Sequence, residues 1–165
     1  MDQKLFSMIN GFAGRNLFLD RLMVFASNEL RYLFLFVLVL QVGTKHSNKK
    51  IVIESIISVI MTLGLKKVIN RIKFRPRPYL TRYANVLVSS LQDSSYLSKH
   101  TLLAFAVSTT VFLYNKALGK FLYISSFFIG LSRVWTGVHY PYDIIRSSIL
   151  GSMASLFVNK LNIRR

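Results

Sequence analysis

The chain has no cysteine, six acidic residues, three prolines and eight glycines among 165 residues. Without cysteine there is no disulfide and no thiolate metal site, and the compartment stays undefined. Six scattered carboxylates argue against a two-metal carboxylate cage. Charged residues are scarce as well, at 17%, against about 25% in a typical soluble domain. The 52% hydrophobic content excludes a disordered chain.

What charge there is has one sign. Lys and Arg number 22, which gives a net charge of +16. A soluble domain this basic would point to nucleic acid. Here, however, the cations lie between long apolar runs such as Tyr32–Val42, Ile51–Leu65 and Phe121–Leu131. That alternation indicates an all-α polytopic membrane bundle with no nucleic-acid partner. The length suits one domain, residues 1–165, with five to six spans.

The pattern predicts an amphipathic helix over Met1–Ala13 lying on the membrane, with no cleavable leader. Asn16–Ser27 is apolar but interrupted by Asp20 and Arg21, so it reads as a short span or an interfacial piece. Clearer spans are Leu30–Gly43, Ile51–Ile72, Thr101–Tyr114, Leu118–Arg133 and Tyr142–Leu161. Pro76, Pro78 and Pro141 fall outside the apolar runs and mark loops and a helix start.

The short basic segments Lys45–Lys50, Lys116–Lys120 and Lys160–Arg165 read as cytoplasmic by the positive-inside rule. Alternating spans then place Lys73–Lys99 and Arg133–Tyr140 on the outer side. Yet Lys66, Lys67, Arg71, Lys73, Arg75, Arg77, Arg82 and Lys99 crowd that side. Charge set against the topological signal suits an anionic ligand or anionic headgroups, and charge alone leaves both open. Glu54 and Arg146 lie within spans but near their ends, where snorkelling accounts for them. Trp135, Tyr140 and Tyr142 suit an interfacial aromatic belt.

Three segments carry chemistry. They are Asn70-Arg71-Ile72-Lys73-Phe74-Arg75-Pro76-Arg77-Pro78-Tyr79, then Ser94-Ser95-Tyr96-Leu97-Ser98-Lys99-His100 at the head of a span, and the run from Ser132-Arg133 through His139 to Asp143. Two histidines and two arginines therefore meet one membrane face, as work on a lipid headgroup requires.

This constellation resembles the type 2 phosphatidic acid phosphatase (PAP2) superfamily, whose signatures are K-x6-RP, PSGH and SR-x5-H-x3-D. The third is matched in full by Ser132, Arg133, His139 and Asp143. The second is matched at Ser98 and His100, with Leu97 in place of the proline and Lys99 before the histidine. The first is matched at Arg77-Pro78, with Asn70 where the lysine belongs and Lys66 and Lys67 about one helical turn earlier. The resemblance covers Leu65 to about Gly151. Ile9-Asn10-Gly11, Leu19-Asp20 and Phe74-Arg75-Pro76-Arg77-Pro78 look most like the bacterial undecaprenyl pyrophosphate phosphatases of the bacitracin-resistance type.

The resemblance implies metal- and cofactor-free hydrolysis. His139 attacks the terminal phosphorus to form a phosphohistidine. Asp143 holds the other imidazole nitrogen, and His100 serves as acid and then base. Arg77 and Arg133 hold phosphoryl oxygens, with Ser98, Asn70, Lys67 and Arg75 as further phosphate contacts. It implies undecaprenyl pyrophosphate as substrate, recycling of the cell-wall lipid carrier, bacitracin resistance, and an active site on the outer face of a bacterial plasma membrane. A phosphatase of phosphatidylglycerophosphate or phosphatidic acid is the alternative, as is a degenerate lipid-phosphate binder. No broken-helix repeat supports a transporter.

Overall fold

The computed structural model describes residues 1–43, 49–81, 84–88 and 94–163, which are helices and connecting segments without a strand. The helices are α1 (Asp2–Asn10), α2 (Leu17–Asn28), α3 (Arg31–Gly43), α4 (Lys49–Ile72), α5 (Pro78–Thr81), α6 (Lys99–Tyr114), α7 (Lys116–Trp135) and α8 (Pro141–Ile163). Arg82 and the ends of two basic segments, residues 45–48 and 164–165, lie outside the described residues.

Local chemistry starts the helices where the sequence predicts them. Asn16 caps α2, its side chain accepting from Phe18 N and Leu19 N. Asn115 caps α7 by accepting from Leu118 N. Pro141 opens α8 at the position that needs no N–H. Asp143, in the first turn, reaches back to accept from Tyr140 N at 2.9 Å, half of a capping box.

α6 is the central helix, packed against α4, α7 and α8. The core joins Phe34, Val37 and Ile51 to Ala104, Val107, Val111, Leu122 and Ile129. Small hydroxyls stitch the same helices together: Ser108 to Ser126 at 2.8 Å, Thr110 to Ser155 at 2.8 Å, and Thr109 to Ser152 at 3.0 Å. Such pairs suit an interface where lipid tails are as apolar as leucine and burial of greasy surface drives little. Gly151 allows the close approach of α8 to α6. A Cβ there would stand 2.4 Å from Leu102 O.

The outer surface is greasy. Phe36 and Leu40 of α3, Ile57 and Ile60 of α4, Ile124 and Phe127 of α7, and Met153 and Phe157 of α8 are all exposed. An exposed apolar surface of this extent suits lipid, not water. By length and apolarity α7 qualifies as a span on its own, and α2 with α3 qualifies as one span bent by 47°. The expected five to six spans exceed these one or two: α6 has only 16 residues, and charged residues lower the apolarity of α4 and α8.

Two expectations, for Trp135 and Glu54, are corrected, and α1 has a partner that the sequence did not show. α1 packs on the bundle end: Phe6 is 1% exposed against Val134 and Tyr140, and Asn10 donates to Asn85 O at 2.9 Å and Trp135 O at 2.7 Å. Trp135 is no belt residue, since it is buried and donates to Asp20 at 2.9 Å. Glu54 does not snorkel. It is 1% exposed, accepting from Tyr114 at 2.7 Å and Asn159 at 2.9 Å.

Candidate active site

The site forms at the end of the bundle where α3, α6 and α8 begin and α4 and α7 end. Two connections make its floor: residues 73–77 after α4, and residues 94–98 before α6. They run alongside each other, with Ser95 N donating to Arg75 O at 2.8 Å and Arg75 N donating to Ser94 Oγ at 3.1 Å. The third wall is the turn from α7 to α8. Gly137 takes φ +82° there, a conformation that favours glycine. Val138 N and His139 N both donate to Arg133 O at 3.2 Å, so the turn folds back on the end of α7.

His139 projects from this turn and is 2% exposed. Its Nδ1 lies 3.1 Å from Ser95 O, and its Nε2 lies 3.4 Å from Arg77 Nη1. A carbonyl only accepts and a guanidinium only donates. The two neighbours therefore set the tautomer: the proton is on Nδ1 and the lone pair is on Nε2. Burial pushes the His139 pKa down to about 4, and Arg133 and Arg77 push the same way against the opposing pull of Asp143. The ring is thus neutral at physiological pH, with its Nε2 lone pair directed toward cations.

Asp143 is fully buried and heavily used. Its Oδ1 accepts from Arg75 at 2.6 Å and Arg146 at 3.2 Å, and its Oδ2 accepts from Tyr140 N. The expected hydrogen bond from His139 to Asp143 is absent. Nδ1 stands 3.9 Å from Oδ2, beyond hydrogen-bond length. The carbonyl of Ser95 takes that place, because Asp143 is pulled to the start of α8 by its capping role.

Arg77 and Arg133 are each 5% exposed. Arg77 Nη1 also donates to Val138 O at 3.1 Å, and Arg133 Nη1 donates to Ser27 at 2.6 Å. His100 sits at the first turn of α6. Arg133, Arg31, His139 and Lys99 are all close enough to act on it electrostatically. Its Nε2 receives a hydrogen bond from Arg31 Nη1 at 3.0 Å.

The other four expected phosphate contacts have these surroundings. Ser98 is buried and caps α6, with Thr101 Oγ1 donating to its Oγ at 3.0 Å and its own N–H held by Ser147 at 2.7 Å. Arg75 is clamped between two carboxylates, Asp143 and Asp2, each at 2.6 Å, and stacks on Tyr140. Lys67 and Asn70 line a cavity of about 380 Å³ with Lys66, Arg71, and Phe74 and Ser94 of the floor segments. The sidechain oxygen of Asn70 is buried there without a partner.

Sequence reasoning missed Arg31, Asp2 and Ser147, and it named Asn10 and Ser95 within motifs without giving either a role. It took Arg146 for a snorkelling residue. Only Arg146 had a usable signal, since it stands three residues after Asp143, on the same helix face.

A basic, buried histidine site at the end of an all-helical bundle, ringed by arginines, defines a phosphatase of the PAP2 kind. The PAP2 superfamily pattern matches residues 49–165, and the chain belongs to that superfamily. It is 30% identical to the "Bacitracin transport permease protein BcrC" of Bacillus licheniformis over 93% of this chain and 76% of that protein. It is also 30% identical to the "Undecaprenyl-diphosphatase BcrC" of Bacillus subtilis over 91% of this chain and 78% of that protein. In fold it is similar to the Aquifex aeolicus LpxE crystal structure, with a TM-score of 0.81, 24% identity, and coverage of 96% of this chain and 94% of that one. The chain is accordingly a membrane-associated lipid phosphatase, a hydrolase of the PAP2 family.

Proposed function

We propose that this protein hydrolyses a polyprenyl pyrophosphate of the undecaprenyl class to the monophosphate through a phosphohistidine on His139. The observation that carries the reading is the His139 tautomer, with a neutral ring and its Nε2 lone pair beside Arg77. This is the arrangement an in-line nucleophile needs. The relatives' names supply the substrate class.

The Nε2 lone pair attacks the terminal phosphorus. The bond from phosphorus to the bridging oxygen breaks, and its electron pair stays on that oxygen, which His100 protonates. Nδ1 keeps its proton on Ser95 O, so the cation that develops on the ring is stabilised by a carbonyl dipole and by Asp143 nearby. Arg77 and Arg133 neutralise the equatorial oxygens of the transferred group. Water then attacks the phosphohistidine. His100 takes one water proton, the N–P bond breaks, its pair returns to Nε2, and phosphate leaves. Asp143 acts through the start of α8: it anchors Tyr140 N and with it the His139 turn.

The charge pattern supports a multi-pass orientation with the site outside. Lys49, Lys50, Lys116, Lys120 and Lys160 gather at the opposite end of the bundle. In this reading the whole chain is one domain, and recycling of the lipid carrier and tolerance of bacitracin follow from the activity.

The test is phosphate release from undecaprenyl pyrophosphate in detergent micelles with EDTA present, comparing wild type with His139→Ala. Release that is lost in the variant, with acid-labile, base-stable phosphate trapped on wild type, is the expected result. Equal release by both proteins overturns His139 as nucleophile. Faster cleavage of phosphatidic acid or phosphatidylglycerophosphate reassigns the substrate. No release from folded protein on any of these lipids leaves a lipid-phosphate binder.

A further inference from the structure

Arg31 belongs to none of the three signature segments, yet the fold delivers it to His100 across 69 residues of sequence. It opens α3, is exposed, and stacks on the adjacent Tyr32 ring while its Nη2 donates to the Tyr32 hydroxyl at 3.1 Å. Arg31, Lys99 and His100 line one side of a cavity of about 430 Å³ between α3, α4 and α6. The rest of its lining is mainly apolar, including Leu38, Val59 and Leu103.

The contact from Arg31 to His100 has a chemical consequence. A guanidinium only donates, so His100 Nε2 carries a lone pair while Arg31 holds it. In that arrangement His100 has no proton on Nε2 to give to a leaving oxygen. Catalysis requires Arg31 to let go, solvent to protonate Nε2, and the leaving oxygen to take the place of Arg31. The displaced guanidinium is then within one side-chain swing of the leaving group.

Leaving groups differ in what they offer it. Cleavage of a pyrophosphate expels a phosphate monoester, whose non-bridging oxygens match the guanidinium fork. Cleavage of a phosphate monoester expels an alcohol, which has no such oxygens. Arg77 stands at His139 Nε2 and serves the phosphoryl group being transferred, which is common to both substrates, while Arg133 lies close enough to act on both histidines. Among the described residues, Arg31 is the cation whose guanidinium hydrogen-bonds the acid that serves the leaving side.

We propose that Arg31 reads the second phosphate: it leaves His100 to grip the inner phosphate of a polyprenyl pyrophosphate, and so selects diphosphate over monophosphate lipids. This rests on the proposed function of the site. The first apolar units of the chain lie in the cavity between α3, α4 and α6, directly beneath that grip.

The test compares farnesyl pyrophosphate with farnesyl monophosphate, which share one tail. In the Arg31→Gln variant kcat/KM for the pyrophosphate should fall by about tenfold to a hundredfold, the range expected for a lost charge-assisted hydrogen bond. The value for the monophosphate should change less than about threefold. Arg31→Lys, which keeps the charge and loses the fork, should lie between. Equal falls on both lipids would make Arg31 a mere support for His100, and no fall on either would remove it from the site; each overturns the proposal.

A second measurement keeps the two readings apart. Wild type that cleaves neither of these lipids nor undecaprenyl pyrophosphate defeats the proposed function. Arg31 is then judged by competition between inorganic phosphate and methylenediphosphonate for the site. Wild type should prefer the diphosphonate by about tenfold, and Arg31→Gln should lose that preference. A preference that survives the substitution overturns the inference.

Discussion

Arg75 Nη1 and Asp143 Oδ1 lie 2.6 Å apart, and Arg75 Nη2 lies 2.6 Å from Asp2 Oδ2. One guanidinium thus ties the chain's second residue to the most buried carboxylate of the site. Asp2 also accepts from Tyr142 N at 3.0 Å, so α1 clasps the start of α8 directly.

Arg75→Gln should leave Asp143 with Arg146 as its remaining cation. Breaking a fully buried pair costs about 3–5 kcal/mol. The Arg75 side chain is 22% exposed, so a loss of about 2 kcal/mol is expected here. Asp2→Ala should cost less, about 1 kcal/mol, and the double variant should fall short of the sum because the two residues share one contact. Denaturant unfolding in detergent measures all three.

His139 should make stability depend on pH. Its unfolded pKa is 6.5 and its folded pKa is about 4. Between these values the unfolded chain binds the proton that the folded one refuses, so the His139 contribution is complete above 6.5 and is lost as pH falls toward 4. His139→Gln should flatten that part of the curve. Unfolding midpoints at pH 7.5 and 4.5 for both proteins test the sign. A variant as acid-sensitive as wild type would refute it.

Gly151→Ala should separate α8 from α6, because the new Cβ would meet Leu102 O at 2.4 Å. Overpacking of this kind costs about 1–3 kcal/mol. It should lower activity too, since Ser147, one turn away, holds Ser98 N and so fixes the head of α6 that carries His100. Thermal unfolding and kcat together check the prediction.

Glu54 lies at the other end of the bundle. Glu54→Ala would remove the acceptor of the Tyr114 hydroxyl and of the Asn159 amide, which keep their own 3.3 Å contact, and should cost about 1–3 kcal/mol in all. Glu54→Gln keeps an acceptor and should cost less. Neither should change KM for the lipid, because Glu54 lies near the start of α4, at the end of the bundle opposite His139 and His100. A changed KM with unchanged unfolding would assign it a functional role instead.

Most helices were legible because their signals are local. Asn16, Asn115 and Pro141 mark starts by their own backbone chemistry, and apolar runs mark the buried lengths. His100, Arg133, His139 and Asp143 were legible as candidates because fixed spacing is itself a sequence property. The failures share one cause. Asp143 was paired with His139 by proximity in sequence, whereas the Tyr140 N–H and two arginines claim its oxygens. Arg75 looked like a phosphate contact because it sits in a cationic run, but α1 brings Asp2 to it from 73 residues away.

The amino-acid sequence by itself determined an all-helical, cation-rich, membrane-associated chain with its reactive histidines at helix ends. Composition and short-range spacing dictate those features without reference to distant residues. Only the tertiary structure decided which atom faces which: Ser95 O on His139 Nδ1, Arg77 on Nε2, and Arg31 on His100. Hydrogen bonds act over about 3 Å. Which groups come that close depends on how α1, α3 and α7 pack at one end of the bundle, and no local pattern encodes that.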